Sequence, residues 1–232
     1  MAYPNVEFWS ALREGKCAGN SEGFFVLSLV DCGWLTMPTG RLVACDPFVC
    51  LEKTGNPHVL VPPGRYRVVV TLADVSGSGD GSHFREAYAT LILDEAATEV
   101  KRRMITPLSD GASCPAEMTE EGDYYGFPVD AGTACFVDDG AVTTAMPDGD
   151  WFENLFENDS SDCWFSRMDD PGHIRVGIAN ISLPLGKNGE NIVIFHSGWG
   201  DGSYPVIGGY DASDRLVRVH IDFMVVFPEK PS

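Results

Sequence analysis

Strand signals dominate the hydrophobic pattern of this chain. Phe24 to Val30 (FFVLSLV) is an apolar run rich in aromatic and β-branched residues, the composition expected of a buried strand. Arg41 to Cys45 follows a Pro-Thr-Gly turn. Arg65 to Ala73 follows a Pro-Pro-Gly turn and reads as the next strand. The glycine- and serine-rich stretch Val75 to Ser82 is expected to form a hairpin loop, with Phe84 to Leu93 returning from it. Glu99 to Ile105 is a further short strand.

The middle of the chain is less regular. Thr133 to Val137 and Ala141 to Ala145 read as short strands around Asp138-Asp139-Gly140, a hairpin-turn signal. Asp150 is placed to cap a short helix over Trp151 to Glu157. The last third returns to strands: Ile174 to Ile178, Asn191 to His196, Tyr204 to Ile207 and Arg215 to Phe227. Within the last of these, RLVRVHIDF alternates as a half-buried strand should. The 25 glycines and 15 prolines punctuate the chain so often that the expected fold is mainly β, all-β or β-rich α+β, with antiparallel, sandwich-like sheets and a few short helices. No fixed-period repeat and no long linker interrupts it, so residues 1–232 read as a single domain.

Charge changes the picture next. The chain carries 16 Lys+Arg against 34 Asp+Glu, a formal net charge of −18. Nucleic-acid binding needs a basic face that replaces the counterions of phosphates, so that class is excluded, as is a polybasic membrane-surface protein. No apolar run is long enough to span a bilayer. The N-terminal segment carries Glu7 and Glu14 and lacks an apolar core, which argues against a cleaved signal peptide. The acidity is concentrated. Between Ser109 and Asp170 sixteen carboxylates face Arg167 alone, so 109–170 reads as an irregular, insertion-like acidic segment. Such a density attracts cations or a basic partner.

The seven cysteines are scattered, odd in number and free of any C-x₂-C pair. This disfavours a zinc knuckle and a secreted disulfide framework, and points to reduced thiols in the cytoplasm. Cys45 is the best-placed candidate nucleophile, though a small core residue ending a strand would look the same. Phosphate-binding P-loop, dinucleotide-binding, H-E-x-x-H and G-x-S-x-G patterns are absent.

Polar clusters at strand ends remain. The densest is Ser197-Gly198-Trp199-Gly200-Asp201-Gly202-Ser203-Tyr204, just past an apolar strand. Its glycines let a ligand approach the backbone. Trp199 and Tyr204 offer flat surfaces and Asp201 a charge. Val129 to Thr133 with Phe136 and Asp138 form a second cluster, and Cys45-Asp46-Pro47 a third. In order along the chain, Gly40 to Pro47, Pro62 to Tyr66, Gly126 to Asp138, Ser197 to Tyr204, Gly209-Tyr210-Asp211 and Asp222-Phe223 resemble the uncharacterised family catalogued as domain of unknown function 4241. The resemblance covers about Leu35 to Val226. It implies that Asp46, Arg65, Asp130, Thr133, Asp138, Asp201 and Asp222 belong to a recurring pattern.

Two functions from different classes follow. In the first, the protein is a small-molecule enzyme of hydrolase, lyase or isomerase type. Asp46, Asp130 and Asp201 would divide acid and base roles. Arg65, Thr133, Trp199 and Tyr204 would hold the substrate, and Asp138 with Asp201 would hold Mg²⁺ or Ca²⁺ through oxygen. In the second, it is a non-enzymatic acidic binder, such as an immunity or inhibitor protein, docking a basic protein partner.

Overall fold

The computed structural model describes residues 9–18, 24–52, 55–109, 126–149, 151–158 and 160–226. Among them, two antiparallel sheets carry most of the chain. The fold is mainly β, as the pattern of strands and turns requires.

The larger sheet has eight strands. Its middle is built from β2 (Phe24–Met37), β5 (Gly64–Asp74), β6 (Phe84–Ile92), β13 (Leu216–Asp222) and β12 (Gly202–Tyr210), paired in that order. β1 (Gly15–Ala18) lies outside β2, while β7 (Lys101–Met104) and β8 (Gly126–Val129) both pair with β12. The smaller sheet runs β10 (Ile178–Ser182), β11 (Asn191–His196), β9 (Thr133–Asp138), β3 (Arg41–Cys45) and β4 (Val59–Leu60).

The long strand β2 continues well past the apolar run. A bulge between Asp31 and Trp34, at a Gly33 with φ of 79°, bends it; glycine takes that backbone without a Cβ penalty. Beyond the bend, Leu35 and Met37 are fully buried. Two amides then join the sheets. Asn191 Oδ1 accepts from Thr36 N at 2.8 Å, and its Nδ2 donates to Trp34 O at 2.8 Å. Asn180 Nδ2 donates to Cys32 O at 2.8 Å.

Strand β9 lies at the centre of the smaller sheet and is buried along its whole length. Ala134 and Phe136 join the core between the sheets. Cys135 and Val137 join a second core beneath the helices. A strand buried on both faces reads as an unbroken apolar run, which explains why TACFV shows no alternation. The acid-rich segment is therefore woven into the sheet rather than inserted beside it. Its residues 110–125, 150 and 159 lie outside the described residues.

The expected hairpin at Asp138-Asp139-Gly140 is instead a helix start. Asp139–Ala145 forms α2, with Asp138 as its N-cap accepting from Ala141 N at 2.9 Å. Inside this helix the hydroxyls of Thr143 and Thr144 donate to the carbonyls four residues back, Asp139 O at 3.0 Å and Gly140 O at 2.9 Å. α1 (Pro47–Cys50), a π-helical turn over Phe152–Phe156 and α3 (Trp164–Asp169) complete the helical layer. Rings of Phe48, Phe156, Trp164 and Phe165 pack together within it. The expected strand over Ile174–Ile178 is a turn up to Ile178, where β10 begins.

The C-terminal strand also differs from the half-buried expectation. Its polar face is covered too: Arg218, His220 and Asp222 are all buried. The Trp9 ring stacks edge-on to His220 at 5.0 Å. His220 is satisfied on both nitrogens, by Thr90 Oγ1 at 2.8 Å and Glu99 Oε2 at 2.9 Å, as a buried polar group requires. Burial pushes the His220 pKa below its ordinary value.

Asp138 is the most heavily bonded of these buried groups. Besides Ala141 N, its oxygens accept from Thr39 N at 3.0 Å, Gly40 N at 2.9 Å and Thr39 Oγ1 at 2.8 Å. Asp138→Ala should destabilise the fold by at least about 3 kcal/mol, because several buried donors lose a charged acceptor at once. Urea unfolding checks this; a loss under about 1 kcal/mol would show that the turn does not depend on the carboxylate.

Candidate functional site

The site is built where β11 ends. His196, its last residue, lies directly opposite Thr133, the first residue of β9. On its other side, His196 N donates to Gly177 O at 2.9 Å. Cross-strand partners share a face of the sheet. The imidazole is thus flanked by a threonine hydroxyl on one side and a residue without a side chain on the other.

The chain then turns tightly. Ser197 N donates to Gly132 O at 3.0 Å, and Ser197 Oγ donates to Gly200 O at 2.8 Å. Gly198 has φ of 62°, and a Cβ there would lie 2.9 Å from both Phe223 and Val225, so only glycine fits. This turn lifts Trp199 into the open, 57% exposed. The Arg85 guanidinium, from the start of β6, lies 5.3 Å from the Trp199 ring centre, a cation–π distance.

Between these groups is a pocket of about 330 Å³. Arg85, Thr133 and His196 give it polar walls. Phe165 and Met168 of α3 give it an apolar one, with Trp199 at the side and Asp169 among its lining residues. Two of the pocket's lining residues carry a buried atom without a hydrogen-bond partner: Thr133 Oγ1 and Arg85 Nε. Thr133 is only 3% exposed, so its hydroxyl has lost water without gaining a protein partner, which is costly unless a ligand supplies one.

Titration at the site follows burial. Burial pushes His196 below its ordinary pKa, Asp169 opposes that shift and Arg85 adds to it. The imidazole is therefore mostly neutral at pH 7, as a base must be. Glu86 is buried next to Arg85 on β6, and burial raises its pKa to about 7 against the pull of Arg175 and Arg85.

Of the residues singled out from sequence, Thr133 and Trp199 line the pocket. Tyr204 supports the turn, donating to Ser197 O at 2.8 Å and Gly200 O at 2.7 Å. Asp201 is exposed and accepts from Gly132 N at 3.0 Å. Asp46 is buried. It caps α1 through Phe48 N at 2.9 Å and accepts from Asp130 N at 3.0 Å. Asp130 itself is exposed in that turn. Asp46 and Asp201 thus hold the Asp130–Gly132 backbone from two sides and are not among the pocket's lining residues. Asp138 caps α2. Among the described residues, no group of three or more His, Cys, Asp or Glu is arranged to hold a metal ion.

Arg65 lies elsewhere. It pairs with Thr36 at the start of β5, whereas Arg85 pairs with Ala73 near that strand's end, about 26 Å further along at strand rise. Arg65 instead faces the Trp34 ring. Cys45 is no activated nucleophile. A hydrogen bond with Cys50 and burial both raise its pKa, which keeps the thiol protonated.

The sequence reading missed Arg85, Glu86, Phe165, Met168, Asp169 and His196. Only His196 carried a signal, as a polar residue closing an apolar strand beside the glycine-rich turn.

The family model described as protein of unknown function (DUF4241) matches residues 35–221. The chain belongs to that family, and every residue lining the pocket falls inside the matched stretch. No curated protein and no solved structure matches the chain.

Glu86 gives this site a measurable pH signature. The folded state holds its proton up to about pH 7, whereas an unfolded glutamate releases it near 4.5. Between those values the native state binds more protons, so stability falls as pH rises. The contribution is fully present below pH 4.5 and lost above pH 7, by about 3 kcal/mol at about 1.4 kcal/mol per unit. Glu86→Gln should remove this slope, and should be more stable than wild type at pH 8. Parallel slopes for the two proteins in denaturant titrations between pH 4.5 and 8 would refute the assignment.

Proposed function

We propose that the protein is a small-molecule enzyme whose substrate carries a carboxylate- or phosphate-type anion, bound in the pocket beside His196. One observation carries this reading: the buried Thr133 hydroxyl, unpartnered among the described residues, lining the pocket opposite His196. An anion supplies the acceptor this hydroxyl lacks. The same anion pairs with Arg85, whose guanidinium is held against Trp199. Guanidinium and hydroxyl donors together suit a multi-oxygen anion.

The remainder of the ligand packs on Phe165 and Met168, and the volume limits it to a small metabolite. His196, mostly neutral at pH 7, acts as general base on a carbon acid or a water molecule. That is chemistry of the hydrolase, lyase or isomerase type. The cytoplasm is the compartment in this reading. The six described cysteines are free, and the Sγ atoms of Cys50 and Cys135 lie 3.6 Å apart without a bond between them, a pairing that a reducing milieu preserves. No described helix is long and apolar enough to cross a membrane.

The test is a pair of measurements on Thr133→Val with inorganic phosphate and simple carboxylates as probes. The substitution removes an unsatisfied buried hydroxyl at nearly constant shape. The unliganded variant should therefore be as stable as wild type, or more stable by about 1 kcal/mol. Wild type should show a ligand-dependent rise in melting temperature, and the variant should bind at least about tenfold more weakly, the loss of one charge-assisted hydrogen bond. No probe raising the wild-type melting temperature, or a destabilised variant with unchanged binding, would overturn the reading.

A further inference from the structure

We infer that the pocket's ligand is a zwitterion of the amino acid type. Its carboxylate meets Arg85 and Thr133, and its protonated amine meets Asp169. The inference rests on the reading of the pocket as an anion site and adds the second charge.

The observation is a couple of opposite charges left unpaired in one cavity. Arg85 and Asp169 both line the pocket, yet no ion pair joins them. They come from different elements. Arg85 stands at the start of β6 beside Trp199, whereas Asp169 is the last residue of α3. Both act electrostatically on the His196 ring, with opposite sign: Asp169 favours its protonated form and Arg85 disfavours it. The imidazole therefore lies within the field of both.

The Asp169 carboxylate makes no hydrogen bond or ion pair with a described residue. The arginines nearest to it in sequence are engaged elsewhere. Arg167 pairs with Asp162 at 2.9 Å. Arg175 holds its guanidinium 4.9 Å from the centre of the Phe84 ring. The position is also adverse to α3 itself. The last turn of a helix presents unpaired carbonyl oxygens, which repel a carboxylate and favour a cation. Asp170 follows directly but has a local role, accepting from Gly172 N at 2.8 Å. Asp169 has no such role, and the fold gains nothing from its charge.

The apolar wall leads to the same group. Phe165 and Asp169 are four residues apart on α3 and so share a helix face, and Met168 lines the pocket beside them. A ligand that covers Phe165 and Met168 also takes water from Asp169. That costs free energy unless the ligand brings a cation. Distance adds to the argument. A volume of about 330 Å³ is that of a sphere about 9 Å across, close to one screening length at physiological salt. An anion bound at Arg85 therefore feels the charge of Asp169. A plain carboxylate is opposed by it, whereas an ammonium on the same molecule turns that opposition into attraction. One carboxylate, one ammonium and an apolar body make up an aliphatic amino acid.

Calorimetric titration with matched pairs tests this. L-leucine is compared with 4-methylpentanoate, the same skeleton without the amine, and 6-aminohexanoate with hexanoate. The two pairs cover a short and a long separation of the charges. In wild type, the amino acid of at least one pair should bind at least about tenfold more tightly than its plain carboxylate. In Asp169→Asn that preference should fall below about twofold, with the plain carboxylate bound as tightly as before or more so. The variant should melt no lower than wild type, since α3 loses an adverse charge, so a lost preference is not a folding defect. Plain carboxylates that bind as tightly as both amino acids overturn the proposal and leave the anion reading standing. A preference that survives Asp169→Asn does the same. If no member of either pair binds, the anion reading falls and the zwitterion falls with it.

Discussion

The fold depends on satisfying backbone donors at turns that have been taken out of water. Asp138 is the clearest case. Its carboxylate is fully buried and joins the β2–β3 turn at Thr39 and Gly40 to the start of α2. Asp46 does the same between α1 and the turn before β9. Asp139 does so beside them, accepting from Asn56 N at 2.9 Å and pairing with Arg41 at 3.0 Å. Three buried aspartates therefore surround β3 and β9. A buried carboxylate is tolerated only where donors or a cation compensate its lost hydration, and here the donors belong to turns that could not otherwise close. The order of strands in the smaller sheet follows from these attachments as much as from its apolar faces.

The same constraint positions the pocket. Asp46 and Asp201 fix the Asp130–Gly132 backbone from two sides, and that turn starts β9 with Thr133. Tyr204 and Ser197 fix the following turn around Gly200. Thr133, His196 and Gly177 then come into line through ordinary sheet pairing. The acids surrounding the site act as scaffold, and the groups facing the pocket are mostly neutral or cationic. Asp169 is the exception among the lining residues.

This division explains which features were legible in the sequence. Apolar runs of β-branched and aromatic residues revealed most strands, because burial demands those residues wherever the strand pairs. Thr133 and Trp199 were legible because each adjoins a glycine turn at a strand end. The aspartates at those turns were equally visible, but their residue type fits a backbone acceptor as well as a catalyst, and sequence alone gave no means of separating the two. Asp138 looked like a hairpin turn because Asp-Asp-Gly followed by Val and two threonines favours strands. In the structure Asp138 instead caps α2, accepting from Ala141 N. Arg85, Glu86 and His196 lie inside strand-like segments. Arg85 and His196 belong to different sheets and meet at the pocket only where the sheets pack, and sheet packing is a tertiary property that local pattern does not encode.

The uneven charge bears on how the pocket would meet an anion. The chain as a whole carries a formal charge of −18, so an approaching anion is repelled at long range. Arg85 lies in the pocket and Arg175 beside Glu86, making this spot a local exception. Long-range repulsion between exposed charges decays over about 8 Å at physiological salt, whereas a partly buried guanidinium pairing at hydrogen-bond distance is screened far less. Added salt should therefore speed the arrival of an anion more than it weakens its hold. Where the net field and the local site share a sign, the dependence is the opposite. Selectivity follows from the same imbalance. On the proposed reading, an anion with no apolar body gains only Arg85 and the Thr133 hydroxyl against the repulsion, while one that also covers Phe165 and Met168 gains burial that the field does not oppose. On that reading, inorganic phosphate would thus bind more weakly than a small organic anion that also covers the apolar wall.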